Sequence, residues 1–507
     1  MIALIFLCLA ATAISQQQKK TVTVGIAAVE DVLPSFMAFS RSGGAIGLAL
    51  DRMHAEGITN GFEFRFMVNY TECSSQAAVG VALEHMVKQK VDLIIGPPCP
   101  SSAEMIAYLS TYYKKTMLGW GFLIDPIFSD NDRFPYLTKV IPDSLQMMEA
   151  LVPMFQMLEW NRVAIFYTPN EVQYCDTIIK DADTTFGDDS TYVIDIVQKV
   201  TWDGQDNDYI RDQLFRTKNT ARIIVMCLDT PQSRRKFMKI VSLMDMVSEE
   251  YVYVMLGMRG FGFGQVSRSN GHFNWTGSFI RIREDFVSDH KFSVHALYGR
   301  YTPNATLTIS NGLTPFWEDL ENNHADDAIV KEAAKRMLTA NFIQTTSTDI
   351  HKIHCIDING DDVDPQKLKD FRDNVVERVR EDPLYCSTQA CLSNDGKSMA
   401  TWARHLHDVF YLYGLALNDS LTMDPSGGHA NASTLTEAMK RSFVGLTGSV
   451  TINANGSRIP LFSVYVLDAN FNQVTAINFT IIDGTPVMTK GYTHEATTLW
   501  GSRGGLR

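Results

Sequence analysis

Apolar and polar positions in the first 140 residues follow two alternating periods. Short runs rich in β-branched and aromatic residues predict strands, and stretches in which apolar residues recur every three or four positions predict helices. A strand–helix order of this kind predicts a parallel sheet with helices on both faces. The predicted strands are 21–28, 62–68 and 91–96, and the predicted helices are 44–54, 76–89 and 101–113.

The same alternation restarts after residues 140–142. Two similar α/β halves in succession predict two lobes joined by a hinge, with a ligand cleft at the carboxyl ends of the strands. In the second half the predicted strands are 162–167, 192–197, 221–228 and 251–258, and the predicted helices are 145–158, 209–216 and 232–246.

The periodicity is weaker after residue 260. The stretch 261–310 is rich in Gly, Ser, Asn and aromatic residues. An Asn-Gly pair at 455–456 predicts the turn of a hairpin between strands 448–453 and 461–467. Helical patterns return at 326–338, 365–380, 399–421 and 434–443.

The N-terminus and the sequons indicate the secretory pathway. Residues 2–10 are apolar but too few to span a bilayer, and Ala11 and Ala13 suit a cleavage site, so we expect a signal peptide at 1–15. A membrane anchor and a buried segment are the alternatives. Seven N-x-[ST] sequons predict a glycosylated surface on a protein that is secreted or faces outward from the plasma membrane. They begin at Asn69, Asn274, Asn304, Asn418, Asn431, Asn455 and Asn478.

Charge and cysteine content narrow the function further. The formal net charge of -12 argues against nucleic acid and anionic membranes as partners, because both select basic surfaces. Seven cysteines follow the leader, so disulfide pairing leaves one thiol free or bound to another chain. They are Cys73, Cys99, Cys175, Cys227, Cys355, Cys386 and Cys391.

Motifs for catalysis, cofactors and metals do not emerge from the sequence. The cluster His351, His354 and Cys355 lacks an evident fourth zinc ligand, so a surface loop is the better interpretation. Phosphate-binding loops, nucleophile elbows and zinc-protease motifs are missing. We therefore expect a binding protein with no cofactor and no metal, not an enzyme.

Several short motifs resemble the type I periplasmic-binding-protein-like receptors. Thr447, Gly448 and Val450, followed by N-G-S-R at 455–458, resemble their C-terminal lobe. Within this superfamily the chain resembles the ectodomains of receptor guanylyl cyclases, which include natriuretic peptide receptors, and among them it most resembles the invertebrate chemosensory subset. The other matching motifs are I-G-P-P-C at 95–99, W-N-R-V-A at 160–164, P-L-Y-C at 383–386, H-D-V-F at 407–410 and T-L-W-G at 498–501.

The resemblance implies a fold and a domain plan. The fold would be α/β and two-lobed, each lobe a mainly parallel sheet flanked by helices, with a hinged cleft. Lobe 1 would comprise 20–140 and 265–425, and lobe 2 would comprise 141–258 and 430–490. Residues 491–507 would form a juxtamembrane-like tail.

The resemblance also implies covalent and non-covalent pairing. Cys73 would pair with Cys99, as in the family, and Cys386 with Cys391 across a short loop. The pairing of Cys175 with Cys227 rests on their order along the chain. The helices 76–89 and 101–113 would form a homodimer, or a heterodimer with related receptors, and a monomer is the alternative.

The implied function is extracellular sensing of a peptide or small molecule, signalled by lobe closure or dimer rearrangement. Two alternatives are open: a fragment of a full-length transmembrane guanylyl cyclase that converts GTP to cGMP, and a secreted decoy or partner of such receptors. The resemblance does not include a cyclase or kinase-like domain, so it implies no catalytic role for this chain.

Six residues at predicted strand ends are candidates for ligand binding. Ser101 and Ser102 begin a helix, where they either bind an anionic ligand or cap the helix. Trp120 and Phe122 would supply an aromatic wall, with ordinary packing as the alternative. Tyr167 and Asn170 follow the first strand of the second half and would face them.

Overall fold

The chain folds into two units, each with its own sheet. The computed structural model describes residues 19–187, 192–258, 262–265, 314–319, 326–343, 364–424, 427–482 and 485–505. Unit 1 comprises Met1–Pro142, Lys369–Asp395 and Met399–Arg458, and unit 2 comprises Asp143–Leu368, Gly396–Ser398 and Ile459–Arg507. The leader, the sequons at Asn274 and Asn304, and the cluster of His351, His354 and Cys355 lie outside the described residues.

The regular elements are numbered in chain order. The strands are β1 Lys20–Ala28, β2 Phe62–Tyr70, β3 Leu93–Ile95, β4 Thr116–Gly119, β5 Leu137–Lys139, β6 Arg162–Tyr167, β7 Asp195–Thr201, β8 Ile223–Cys227, β9 Val252–Gly257, β10 Gly264–Gln265, β11 Thr314–Pro315, β12 Met337–Ile343, β13 Ser442–Gly445, β14 Gly448–Thr451, β15 Leu461–Leu467, β16 Gln473–Ile482 and β17 Thr485–Lys490. The α-helices are α1 Pro34–Met37, α2 Phe39–Ser42, α3 Gly44–Ala55, α4 Ser75–Leu83, α5 Pro100–Tyr113, α6 Ser144–Met157, α7 Tyr174–Gly187, α8 Asn207–Thr217, α9 Pro231–Leu243, α10 Asp327–Ala334, α11 Pro365–Arg378, α12 Gln389–Leu392, α13 Ala403–Met423, α14 Ala432–Met439 and α15 Glu495–Thr498. A π-helical turn, Glu84–Lys88, continues α4.

Unit 1 contains a parallel sheet in the order β2-β1-β3-β4-β5. The central strands β3 and β4 are wholly buried, as a sheet covered on both faces requires. On one face, Phe64 and Phe66 of β2 contact Phe410 of α13. On the other face, Met67 joins the core beneath α4 and α5. All carboxyl ends of these strands lie at one edge of the sheet.

Unit 2 contains a mixed sheet in the order β17-β16-β15-β12-β9-β8-β6-β7. The strands from β7 to β12 are parallel, and β15, β16 and β17 add to β12 in antiparallel order. The α/β class and the parallel sheets predicted from the sequence are therefore confirmed in both units. Large apolar side chains fill the core of unit 2, among them Phe166, Trp202, Phe237, Tyr253 and Trp317.

The predicted helix 326–338 is only half correct. The helix α10 ends at Ala334, and the following residues form β12, which lies between β9 and β15. Lateral hydrogen bonding to two strands outweighs the helical pattern, because strand propensity depends mainly on the surrounding sheet. These residues belong to unit 2, so the structure differs from the expectation that all of 265–425 lies in the first lobe.

The predicted hairpin between 448–453 and 461–467 is wrong. The strand β14 pairs with β13, whereas β15 pairs with β12 and β16. The Asn-Gly turn is flanked by an isolated antiparallel bridge between Ile452 and Arg458, and Ser457 forms a parallel bridge with Lys139. The predicted helix 434–443 likewise ends at Met439, where β13 follows. Because α14 packs on α13, residues 430–458 belong to unit 1 and not to the second lobe.

Three disulfides cross-link the described residues. They join Cys73 to Cys99, Cys175 to Cys227 and Cys386 to Cys391, with Cα–Cα distances of 5.4, 5.5 and 6.0 Å. These are the three pairs expected from the sequence. The first two fasten a helix to a strand end, at the carboxyl edges of the two sheets.

Candidate functional site

The carboxyl edge of unit 1 brings Ser101 next to the Cys73–Cys99 disulfide. Pro100 is the first helical residue of α5, where its missing N–H costs nothing, and the N-cap Cys99 makes no side-chain cap. The hydroxyl of Ser101 donates to the carbonyl of Cys73 at 3.1 Å, and the side chain is exposed. Ser101 is therefore reachable by a ligand at this edge.

Ser102 differs from its neighbour in burial. Its side chain is fully buried, and the hydroxyl donates to the carbonyl of Cys99 at 3.2 Å. Neither serine caps the helix, because both hydroxyls donate to carbonyls and do not accept from free helical N–H groups. Of the two, only Ser101 offers surface to a ligand.

Trp120 and Phe122 pack inside unit 1. The indole Nε1 of Trp120 donates to the carbonyl of Gly96 at 2.9 Å, and the residue is 3% exposed. Phe122 is fully buried between Phe36 and Trp402, with ring centroids 6.0 and 5.5 Å away. Both aromatic residues are packed in the interior of unit 1. Their positions correspond to ordinary packing, which is the alternative to an aromatic wall for a ligand.

Acidic side chains surround the same edge of unit 1. The carboxylate of Glu72 accepts the backbone N–H groups of Glu30 and Asp31, both at 2.9 Å. The carboxylate of Glu30 accepts from the backbone N–H and the hydroxyl of Ser40. Glu72 and the adjacent Cys73 have φ of 45° and 58°, so this turn is held in the left-handed region by its partners and the disulfide.

The carboxyl edge of unit 2 joins Asn170 to a residue from another strand. Its amide Nδ2 donates to Asp229 Oδ2 at 2.8 Å, and its Oδ1 accepts the backbone N–H of Tyr174 at 2.9 Å. The hydroxyl of Thr168 accepts the backbone N–H of Asp229 at 2.9 Å. Asn170 is half-buried, as is Tyr167 at the end of β6.

Thr168 and Asp229 belong to the same candidate site as Asn170, and the sequence analysis did not identify them. They follow β6 and β8, which are neighbours in the sheet, although 61 residues separate them along the chain. The signal in the sequence is Asp229–Thr230–Pro231 directly after an apolar run, because such a triplet marks a turn into a helix. Thr230 indeed forms a capping box with Ser233 at the start of α9.

A buried ionic network lies in the interior of unit 1. Asp408 accepts from His407 Nδ1 at 2.8 Å, from the backbone N–H groups of Leu446 and Thr447 at 2.7 and 2.8 Å, and from the Thr447 hydroxyl at 2.6 Å. Arg458 donates to the Thr447 hydroxyl at 2.7 Å. Burial alone would raise the pKa of Asp408, but these hydrogen bonds and His407 lower it below its usual value. The network joins α13 to the Thr-Gly motif and Arg458.

Arg458 and Gly445 are both constrained by this buried network. Burial lowers the pKa of Arg458 to about 10, although Asp408 opposes this. Gly445 approaches the Asp408 carboxylate so closely that an added Cβ would stand 2.3 Å from Oδ2. This position accepts only glycine, and the whole arrangement is structural because its polar atoms bind one another.

An apolar surface is exposed on α4, α5 and the π-helical turn of unit 1. Val79, Leu83 and Val87 are 36%, 39% and 45% exposed, and Tyr108 and Tyr112 are 44% and 78% exposed. Within each helix they are spaced by four residues, so they form stripes on one side. The two helices pack on each other, and their exposed apolar and tyrosine side chains are together called the α4–α5 surface.

The described residues contain neither a membrane-spanning helix nor a cluster of metal ligands. None of the helices in these ranges has the length and apolar character of a membrane span. Across the same ranges, no three His, Cys, Asp or Glu side chains converge as metal ligands would.

Comparison with known proteins identifies the family. Residues 41–470 match the family described as "Receptor family ligand binding region". The chain belongs to this family, and the match covers most of both units.

Individual relatives are receptor-type guanylate cyclases from nematodes. The chain is 33% identical to receptor-type guanylate cyclase gcy-1 of Caenorhabditis elegans over 501 residues, which are 98% of the chain and 39% of that protein. It is 33% identical to gcy-2 of the same organism, over 98% of the chain and 40% of that protein. It is also 32% identical to gcy-4 of Caenorhabditis briggsae. The chain thus spans about two fifths of the length of these curated relatives.

The comparison with solved structures includes a bacterial substrate binding protein. The branched-chain amino acid transporter substrate binding protein LivJ from Streptococcus pneumoniae, in complex with isoleucine, matches with a TM-score of 0.48 and 13% identity. The match covers 90% of this chain and 100% of that one.

Proposed function

We propose that the chain is an extracellular sensor that binds a small molecule or peptide, in a protein that signals as a receptor guanylate cyclase. The observation that carries the proposal is the family match across residues 41–470, together with relatives named as receptor-type guanylate cyclases. In such a protein the chain binds the ligand, and the production of cGMP from GTP belongs to other parts of the relatives' length.

The proposed binding groups lie at the carboxyl edges of the sheets. In unit 2 the groups are Tyr167, Asn170 and Asp229, which combine an aromatic ring, an amide and a carboxylate at neighbouring strand ends. In unit 1 the accessible group is Ser101. Open α/β sheets bind ligands at this edge, where loops free of sheet hydrogen bonding present their side chains.

Electrostatics at the unit 1 edge favours one class of ligand. Glu30, Asp31 and Glu72 lie together beside the Cys73–Cys99 disulfide, and because Arg41 next to Glu30 offsets only one of the three carboxylates, the group near Ser101 has a net negative charge. A ligand with an amine or another hydrogen-bond donor fits these carboxylates better than an anion does. We therefore infer a ligand that carries a cationic or donor group, in place of the anion suggested by the two serines alone.

A thermal-shift screen tests the proposed site. A ligand of the folded state raises the melting temperature, so amines, amino acids, peptides and organic acids are compared at matched ionic strength. We expect a hit among the amines or peptides, and Asn170→Ala should abolish its shift. Asn472→Ala is the matched control, because Asn472 also donates its amide to an aspartate, Asp468, on unit 2 at 3.1 Å. Equal shifts in both variants would contradict the assignment.

We also propose that the α4–α5 surface mediates dimerisation. Exposed tyrosine and aliphatic side chains gathered on two packed helices are typical of protein interfaces. This surface fits a homodimer as well as a heterodimer with related receptors. If both partners are held on the same membrane, tethering raises their local concentration and favours association.

Sedimentation equilibrium tests the dimer. We expect the glycosylated chain to associate at micromolar concentration, and Leu83→Glu and Tyr112→Glu to shift it to monomer. Tyr209→Glu, at a tyrosine of unit 2 that is 42% exposed, should leave the association unchanged. A monomeric wild-type chain would support the alternative.

Glycosylation is part of the same extracellular proposal. Among the described sequons, Asn418, Asn431 and Asn455 are exposed, whereas Asn69 and Asn478 are half-buried. The side-chain oxygen of Asn431 caps α14 by accepting from the N–H groups of Ser433 and Thr434, which leaves its nitrogen directed to a glycan. We expect enzymatic deglycosylation of the secreted chain to reduce its mass at the exposed sites first.

A further inference from the structure

The C-terminal segment, residues 495–505, is packed into unit 2. Leu499 and Trp500 are 3% and 2% exposed, and the Trp500 ring lies 6.2 Å from the ring of Trp160. The indole Nε1 of Trp500 donates to Glu495 Oε1 at 2.9 Å. The hydroxyl of Ser502 donates to the carbonyl of Lys335 at 3.1 Å, so the segment touches the residue between α10 and β12.

Two arginines meet where the segment docks. Arg503 is 6% exposed and donates from Nη2 to the carbonyl of Glu249, while Arg336 donates from Nε to the carbonyl of Val247 at 2.8 Å. Both guanidinium groups therefore bind the same loop, which connects α9 to β9. Burial lowers the pKa of Arg503 to about 10, and the nearby positive charge of Arg336 adds to this effect, with Glu249 opposing it.

The remaining N–H groups of this pair have no acceptor. Arg503 Nε and Nη1 and Arg336 Nη1 are buried and make no hydrogen bond to any residue in the described ranges. A buried charged donor without a partner is costly, because it has lost its hydration. Three such donors on two adjacent cations indicate a place where an acceptor with negative charge belongs.

The acidic groups nearby are engaged elsewhere or exposed. Glu250 pairs with Arg222 at 2.8 Å, and Glu332 pairs with Lys335 at 2.6 Å. Glu495 accepts from Trp500, and the side chain of Glu249 is exposed. Within the described part of the chain, neither Arg336 nor Arg503 forms a salt bridge to these carboxylates.

We propose that Arg336 and Arg503 form a binding site for a small oxyanion, which holds the C-terminal segment against unit 2. The planar guanidinium fork matches the oxygen spacing of carboxylate and phosphate groups, so this class of anion satisfies several of the buried donors together. Bound between the arginines, the anion also removes the repulsion of two like charges at the docking point. The docking of residues 495–505 is then linked to the anion concentration.

Thermal unfolding of the full chain tests the site. Sodium phosphate, sodium acetate and sodium chloride are titrated at constant ionic strength. Because phosphate stabilises many proteins by exclusion from their surfaces, variants are compared within each salt. We expect a saturable rise in melting temperature of about 2–4 °C for wild type with phosphate. The rise should be lost in Arg503→Gln and Arg336→Gln and kept in Arg211→Gln, which removes one arginine of unit 2 that pairs with Asp208 on α8, away from this loop.

The individual outcomes are decisive. A saturable rise with acetate as well as phosphate supports a site for carboxylates and phosphates alike, and a rise with phosphate alone supports a tetrahedral oxyanion. Equal rises in all four proteins would overturn the proposal. If Arg503→Gln does not fold, Arg336→Gln keeps the test, with amide hydrogen exchange of residues 495–505 as a second readout. Phosphate should slow this exchange in wild type only, and identical exchange with and without phosphate would contradict the site.

Discussion

Asp408 is the residue that holds the polar interior of unit 1 together. Its two oxygens accept from His407, Leu446 and Thr447. Asp408→Asn removes the negative charge and turns an amide donor toward an N–H group. We expect the free energy of unfolding to fall by about 2–4 kcal/mol, because buried charged partners lose their counterpart.

Urea denaturation measures this cost against a surface control. Asp395→Asn removes an aspartate whose side chain is 73% exposed and pairs with Arg380. That change should cost less than about 1 kcal/mol, as exposed ion pairs do. Similar costs for both variants would show that Asp408 is not central to the interior.

His85 predicts a pH dependence of stability. It is fully buried, its Nε2 lies 2.8 Å from Asn69 Oδ1, and an added Cβ on Gly25 would stand 2.5 Å from its Nδ1. Burial lowers its pKa to about 4, with Glu84 opposing. As pH falls below the unfolded value of about 6.5, the unfolded chain takes up a proton that the folded chain refuses, so stability is lost toward pH 4.

The effect is measured as unfolding free energy between pH 4.5 and 7. The loss attributable to His85 should reach about 2–3 kcal/mol at the lower pH. His85→Gln keeps a polar side chain but does not titrate, so its curve should be flatter than that of wild type. Parallel curves would assign the pH dependence to other groups.

At the residue scale, sequence reasoning found positions better than contacts. The positions of Asn170 after a strand and of Ser101 at the start of a helix follow from local pattern, but the exposure of Ser101 and the burial of Ser102 do not. The contact of Asn170 with Asp229 depends on β6 and β8 being neighbours in the sheet, and local periodicity does not specify the order of strands in a sheet. For Trp120 and Phe122 the sequence leaves an aromatic wall and ordinary packing open, and the packing depends on contacts such as that of Phe122 with Trp402, which comes from a distant part of the chain.

At the scale of elements, the disulfides differ in what they stabilise. The Cys175–Cys227 bond closes a separation of 52 residues, and the Cys386–Cys391 bond closes one of 5. Because the entropy removed from the unfolded chain grows with loop length, replacing the first pair by serine should cost about 4 kcal/mol and the second about 2 kcal/mol. Reversed costs in denaturant unfolding of the two double variants would contradict this account.

Helices and strands whose apolar residues recur at a regular period can be predicted from the sequence. Strands that are defined by pairing with neighbouring strands cannot. The parallel strands and the helices α3, α6 and α13 follow from apolar spacing in the sequence. The helix α7 was overlooked although Ile178, Ala182 and Phe186 form a buried stripe at every fourth residue. The sequence pattern predicts a helix at the start of β12, because these residues form a strand only through pairing with β9 and β15 on either side.

At the scale of the whole molecule, the chain belongs to a family of receptor ligand-binding regions, and each of its two units is built on its own sheet. The family follows from residues 41–470, and the two units follow from the restart of the α/β pattern. Neither the family nor the two units determine the ligand, which in our proposal depends on a few side chains at strand ends such as Asn170 and Asp229. The proposal that the ligand carries a cationic or donor group rests on the carboxylates near Ser101.

Isothermal titration calorimetry of the purified chain with the best thermal-shift hit tests this claim most directly. The account predicts saturable binding that is lost in both Asn170→Ala and Asp229→Asn and kept in Asn472→Ala. Heat of binding that survives both site variants, or no saturable binding by any amine, amino acid or peptide tested, would contradict it.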